Sequence, residues 1–92
     1  MPKSKVQKFN DYRSEMNDKI LSNDNKVIKR IFNLDTNAFK KGHLPVKTKE
    51  LMGLVASAVL RCDDCVAHHL ETCYKEGVSK EEIMETLSIA TL

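Results

Sequence analysis

Leu51-Met52-Gly53-Leu54-Val55-Ala56-Ser57-Ala58-Val59-Leu60 is apolar at every position except Gly53 and Ser57. A helix that is apolar nearly all round belongs at the centre of a bundle or an oligomer. The run is far too short to span a membrane. Its helix is expected to start near Pro45 to Thr48, where proline suits a first turn, and to stop at Arg61-Cys62-Asp63-Asp64.

Reading outward from this centre gives four more helices. Downstream, a fourth helix follows the Cys62 turn and runs to about Glu76, with Gly77 in the favoured C-terminal capping role. Ser79-Lys80-Glu81-Glu82 fits a capping box, and the fifth helix then carries Ile83, Met84, Leu87, Ile89 and Leu92. That helix meets no stop signal, so either the native chain is expected to continue or its apolar end to dock on a partner subunit. Upstream, a second helix is expected from about Asp24 to Lys41, with Val27, Ile28, Ile31, Phe32, Leu34 and Phe39 on one side and Gly42 ending it. A first helix carries Val6, Phe9, Met16 and Ile20 and fades near Ser22-Asn23-Asp24-Asn25. The expectation is an all-α fold of about five helices.

Ninety-two residues make one domain, 1–92. A core of that size supports only marginal stability, so oligomerisation, a metal or a disulfide should help. The composition, 41% hydrophobic and 30% charged with three Gly and two Pro, is that of a helical soluble protein. A net charge of +2, with basic residues such as Lys3, Lys5, Lys8, Lys26, Lys29, Arg30, Lys40 and Lys41 spread out and without an aromatic row, points away from nucleic acid. The N-terminal MPKSKVQKFND has no apolar segment behind its charges, so it does not read as a signal peptide. A cytoplasmic location follows. There a close cysteine pair is expected to be catalytic or metal-binding rather than a staple.

The chemistry concentrates in Cys62-Asp63-Asp64-Cys65-Val66-Ala67-His68-His69. Two cysteines separated by two residues at a helix start can form a disulfide across one turn. Thiol reactivity needs thiolate, which a helix N-terminus favours through its unpaired N–H groups and partial positive charge. Asp63 and Asp64 work against this, since like charge raises a thiol pKa. One of them is expected to cap the helix, and a histidine relay becomes more necessary.

Helical geometry separates the histidines. At ~100° per residue with Cys65 at zero, Val66, Ala67, Leu70, Cys73 and Tyr74 fill an arc from ~80° to ~200° expected to face the core. His69 falls at ~40°, between Cys65 and that arc. His68 falls at ~300°, towards solvent. Cys73 reads as core. Glu50 lies ~17 Å back from the Cys62 turn and His69 ~10 Å forward, so an antiparallel pair would not set them level. Spacing permits contact without demanding it, and taken alone Glu50 reads as a helix N-terminal charge.

Two other readings stay open at this stage. Cys62, Cys65 and His69 supply three of the usual four ligands of a structural zinc site, in a zinc-stabilised binding module. Alternatively, both cysteines pack unreactively in an oligomeric scaffold.

Glu50, Cys62, Cys65 and His69 together match E-x11-C-x2-C-x3-H. That pattern resembles the active-site signature of alkylhydroperoxidase (AhpD-like) members of the carboxymuconolactone decarboxylase family. Leu44-Pro45-Val46-Lys47-Thr48-Lys49-Glu50-Leu51 and Gly77-Val78-Ser79-Lys80-Glu81-Glu82-Ile83 resemble the family's flanking segments. The likeness covers about residues 27 to 92, which divides the chain into an N-terminal helix (1–23) outside it and a family-like core (24–92). It implies a small helical-bundle subunit assembling into homo-oligomers, often trimers or hexamers, without bound cofactor or metal. It also implies a thiol peroxidase or disulfide reductase in which Cys65 attacks a peroxide and Cys62 resolves the sulfenic acid. His69 and Glu50 would relay protons, and an external dithiol protein or small thiol would restore the thiols. Branches that decarboxylate the lactone typically lack the cysteine pair, so that activity is the less favoured alternative.

Overall fold

The computed structural model describes residues 4–92, so the expectations that fell on residues 1–3, Lys3 included, lie outside it. The described chain is all-α, as expected: α1 (Lys5–Ser22), α2 (Lys26–Ala38), α3 (Val46–Val59), α4 (Asp63–Lys75) and α5 (Lys80–Ala90). It divides into two compact units, one ending at Ala38 and the other running from Phe39 to Leu92.

In the first unit α1 opens on Ser4, whose hydroxyl accepts the Gln7 N–H at 3.1 Å. The helix stops where Asp24 enters the left-handed region at φ 58°. Asn25 then caps α2, its Oδ1 accepting the Ile28 N–H at 3.0 Å. The second helix is thus shorter than expected at both ends. Its start moves to Lys26 because Asp24 turns the chain and Asn25 holds the cap. Beyond Ala38 it does not reach Lys41, and Phe39 belongs to the second unit. On α2, Val27, Ile31 and Leu34 form a row that remains exposed.

In the second unit α4 and α5 both pack on α3. This is the central role that the apolar run predicted, but its burial differs from the expectation. The fully buried side chains are Leu54 of α3 and Cys73 of α4, with Val78 close behind. Two of the three buried residues of α3 are polar, Glu50 and Ser57, while Met52 and Val59 stay exposed. Tyr74 also departs from its expected core position and is 80% exposed, because it lies at the far edge of the α4 arc in the last turn.

Two tight reversals set the helix directions. After α4, Gly77 at φ 78° lets the Val78 N–H reach Cys73 O at 3.0 Å and the Gly77 N–H reach Tyr74 O at 3.2 Å. This is the paired bonding of a Schellman cap. After α3 the same pattern recurs, Cys62 N–H to Ser57 O and Arg61 N–H to Ala58 O, both at 3.1 Å. Here the left-handed residue is Arg61 at φ 57°. The helix α5 opens on the expected capping box, with Ser79 Oγ accepting the Glu82 N–H and Glu82 Oε1 accepting the Ser79 N–H. Glu82 Oε2 also meets Lys47 Nζ at 2.8 Å, tying α5 to the start of α3. Together these bonds push the Glu82 carboxyl down to about 2.

Candidate active site

Glu50, Gly53, Leu54 and Ser57 stand at positions i, i+3, i+4 and i+7, which puts them on one face of α3. Apart from Gly53, which is half-buried, that face is buried. Ser57 satisfies its hydroxyl by donating to Gly53 O at 2.7 Å, which lets a polar side chain lie in the interior at low cost.

Across from this face, His69 of α4 places its Nδ1 2.8 Å from Glu50 Oε2. Both side chains are largely withdrawn from solvent, at 13% and 7% exposure. An ionised carboxylate only accepts, so the Nδ1–H donates to it, and in the neutral form of the ring the lone pair lies at Nε2. The contact that spacing only permitted is therefore made. The linear estimate placed the turn at Cys62, whereas α3 ends at Val59 and α4 begins at Asp63. Counted from those ends, Glu50 and His69 differ in level by only about 5 Å at 1.5 Å per residue. A glutamate side chain covers that gap.

Cys62 and Cys65 are bonded to each other, with Cα atoms 5.2 Å apart. Cys62 is itself the N-cap of α4, its sulfur accepting the Cys65 N–H at 3.3 Å. This corrects the expectation that an aspartate caps the helix. Asp63 and Asp64 occupy the first turn instead, exposed to solvent. The first sulfur thus holds the helix N-terminus, and the second belongs to an exposed residue one turn before His69.

Around the histidine the packing is close. Phe39, which periodicity assigned to the apolar side of the second helix, sets its ring 5.4 Å from that of His69. His68 lies 5.2 Å from it, ring to ring, and is half-buried rather than turned to solvent. Cys73 is fully buried as expected, and burial together with the nearby Glu50 charge pushes its thiol above the usual range. Among the described residues no group of three or more His, Cys, Asp or Glu side chains is arranged to hold a metal ion.

The sequence model of one family, the carboxymuconolactone decarboxylase family, matches residues 25–92. The chain belongs to that family, in its AhpD-like branch. Among its curated relatives is alkyl hydroperoxide reductase AhpD from Corynebacterium aurimucosum, 37% identical over 59 residues. That match covers 64% of this chain and 33% of the relative. Another is an uncharacterised protein of the cox locus of Paracoccus denitrificans, 33% identical over 56% of this chain and 47% of the relative. The chain thus spans only a third to a half of the length of these relatives. Among solved structures, a carboxymuconolactone decarboxylase family protein from Thermotoga maritima superposes with a TM-score of 0.88 at 58% identity, over 90% of this chain and 73% of that one. It is described as a candidate for a part in antioxidative response.

In this family member the four residues of the resemblance fall in one unit, two bridged and two hydrogen-bonded. Sequence reasoning missed two further residues of the site, Gly53 and Phe39. Gly53 did leave a signal, since a glycine in a helix interior is unfavourable and asks for a local reason. Phe39 left none, because an apolar residue following an apolar face simply extends it.

Proposed function

We propose that the chain is a thiol-dependent peroxidase or disulfide oxidoreductase, with Cys65 as attacking thiol, Cys62 as resolving thiol and His69–Glu50 as proton relay. One observation carries this reading above the rest: a buried imidazole, held by a carboxylate at 2.8 Å, sits one helical turn beyond the exposed cysteine of a bridged pair. The family, its AhpD-named relatives and the antioxidative candidacy of the Thermotoga protein support it.

In the reduced pair, His69 Nε2 takes the proton of Cys65, and the Glu50 carboxylate stabilises the imidazolium through Nδ1–H. The Cys65 thiolate attacks the terminal oxygen of a hydroperoxide ROOH. The O–O bond breaks, ROH leaves with the proton returned by His69, and Cys65 becomes a sulfenic acid. Cys62 then attacks that sulfur, and water leaves as the disulfide forms. A dithiol reductant restores the pair by attacking the exposed Cys65 sulfur. Cys62 departs as a thiolate stabilised by the Cys65 N–H and the start of α4. The reductant's second thiol then displaces Cys65 from the mixed disulfide, leaving the reductant as its own disulfide.

The cycle requires a peroxide and a dithiol protein or small thiol as partners and no bound cofactor, and a reducing, cytoplasmic setting suits it. The exposed apolar rows on α2 and α3 suit burial in a homo-oligomer, a trimer or hexamer by family likeness. The test is Cys65→Ser against the parent, with organic hydroperoxide and excess dithiol. Hydroperoxide consumption should fall at least a hundredfold, and equal consumption by the two proteins would overturn the assignment.

A further inference from the structure

A side chain at position 53 has no room. A Cβ built on Gly53 would lie 2.7 Å from Cε1, 2.9 Å from Nε2 and 3.0 Å from Nδ1 of His69. All three atoms belong to the edge of the ring that carries both nitrogens, the edge that holds Glu50. Gly53 is also one helical turn from Glu50 on the same face of α3. The ring has little freedom to yield, since Nδ1 is bonded to Glu50 and the Phe39 and His68 rings lie 5.4 and 5.2 Å away. Nor does the backbone need glycine here for its own sake. Gly53 lies inside a regular helix and is not among the positive-φ residues, unlike Gly77.

We infer that Gly53 is a positioning residue: its missing side chain creates the slot in which the nitrogen edge of His69 lies against α3 and meets Glu50. The inference deepens the thiol-redox reading and rests on it for its functional consequence, whereas the slot itself is a matter of packing. A residue with any side chain at 53 displaces the imidazole, breaks the Nδ1–Glu50 bond and leaves Cys65 without its proton acceptor. Cys62 is untouched, because its support comes from α4.

The experiment is a double-variant cycle of Gly53→Ala and His69→Ala in the full chain, read by thermal midpoint, together with imidazole ¹⁵N spectra and the rate of Cys62–Cys65 bridging under peroxide. Alanine is the better helix former, so if glycine served no histidine the variant G53A would simply be more stable. The slot predicts a sign change instead. G53A lowers the midpoint when His69 is present and raises it when His69 is alanine, even if G53A alone folds poorly. In folded G53A, His69 loses the protonated-Nδ1 tautomer signature. Bridging slows roughly tenfold or more, and the limb of its pH profile belonging to the relay is lost. Gly42→Ala, in the connection before α3, controls for an added methyl that meets no histidine, because its Cβ would meet nothing nearer than the tip of Lys49 at 3.6 Å. An equal midpoint gain in both backgrounds, or an unchanged His69 tautomer, overturns the inference. A parent that never bridges under peroxide defeats the redox reading alone, since the cycle and the spectra still decide the slot.

Discussion

His69 Nδ1 and Glu50 Oε2 lie 2.8 Å apart across the α3–α4 pair, joining residues nineteen positions apart in sequence. The same carboxylate acts in a second direction, since its charge helps to hold the buried Cys73 thiol above the ordinary range. Glu50 therefore disfavours negative charge on Cys73. In the proposed relay the same carboxylate would stabilise an imidazolium at His69.

Glu50→Gln keeps the shape of the side chain and removes that charge. The imidazolium formed when Cys65 loses its proton is then no longer stabilised. Alkylation of reduced Cys65 at neutral pH should slow by about ten- to a hundredfold, less than the roughly 10²–10⁴-fold of a whole general base, because His69 itself is retained. Mass-resolved alkylation kinetics of Cys62 and Cys65 would check this. A rate equal to the parent's would mean that the carboxylate has no part in activation.

Cys73 gives a prediction on the alkaline side. Its folded pKa is raised, first by burial and then by Glu50, so the unfolded chain loses the thiol proton before the folded one does. The unfolded state then binds fewer protons, and stability falls as pH rises above the unfolded thiol value of ~8.5. Urea midpoints at pH 7 and 10, with the Cys62–Cys65 bridge intact, should show this decline. The decline should be smaller in Cys73→Ala, measured against its own midpoint at pH 7.

Glu82 gives the opposite slope at acid pH. Lys47 and the Ser79 N–H hold its folded carboxyl at about 2, so the unfolded chain takes up a proton first as pH drops. The stability that Glu82 contributes is full above its unfolded value of ~4.3 and erodes as pH falls towards about 2. Acid titration followed by circular dichroism should show a shallower loss over that window in Glu82→Gln than in the parent. Separately, Ser79→Ala removes the other half of the capping box and should cost about 1 kcal/mol at neutral pH.

What could be read from the sequence follows from what each residue advertises. The fifth helix start was legible because Ser79 and Glu82 sit at capping-box spacing, and Gly77 marked the α4 end because glycine takes a left-handed position without strain. The end of α3 uses the same bonding with Arg61, which carries no such mark. Placing the turn at Cys62 rather than at Leu60 and Arg61 left Glu50 and His69 apparently out of level. The second helix was overextended because Phe39 continues an apolar row, although its ring lies by His69. Hydropathy was also blind to which face of α3 is interior. Most of its residues are apolar, and the buried face is the one that holds Glu50 and Ser57.

The two helix ends supply a final prediction. Arg61 at φ 57° and Gly77 at φ 78° play the same part in the same bonding pattern, but only one of them is built for it. A side chain in that region crowds the following carbonyl and costs about 1 kcal/mol. A Cβ at Gly77 would meet nothing within 4 Å, so the effect of Gly77→Ala is conformational rather than steric packing. That variant should lose about 1 kcal/mol, and Arg61→Gly should gain up to a similar amount, less the entropy glycine adds to the unfolded chain. For a chain of this size each kcal/mol corresponds to about 4–8 °C in thermal midpoint, so the two variants should bracket the parent. Arg61 directly precedes the Cys62 cap. If bridging under peroxide is unchanged in Arg61→Gly while the midpoint rises, the strain at Arg61 serves the turn alone. A lower midpoint in Arg61→Gly would show that its side chain contributes more to the fold than its backbone conformation costs.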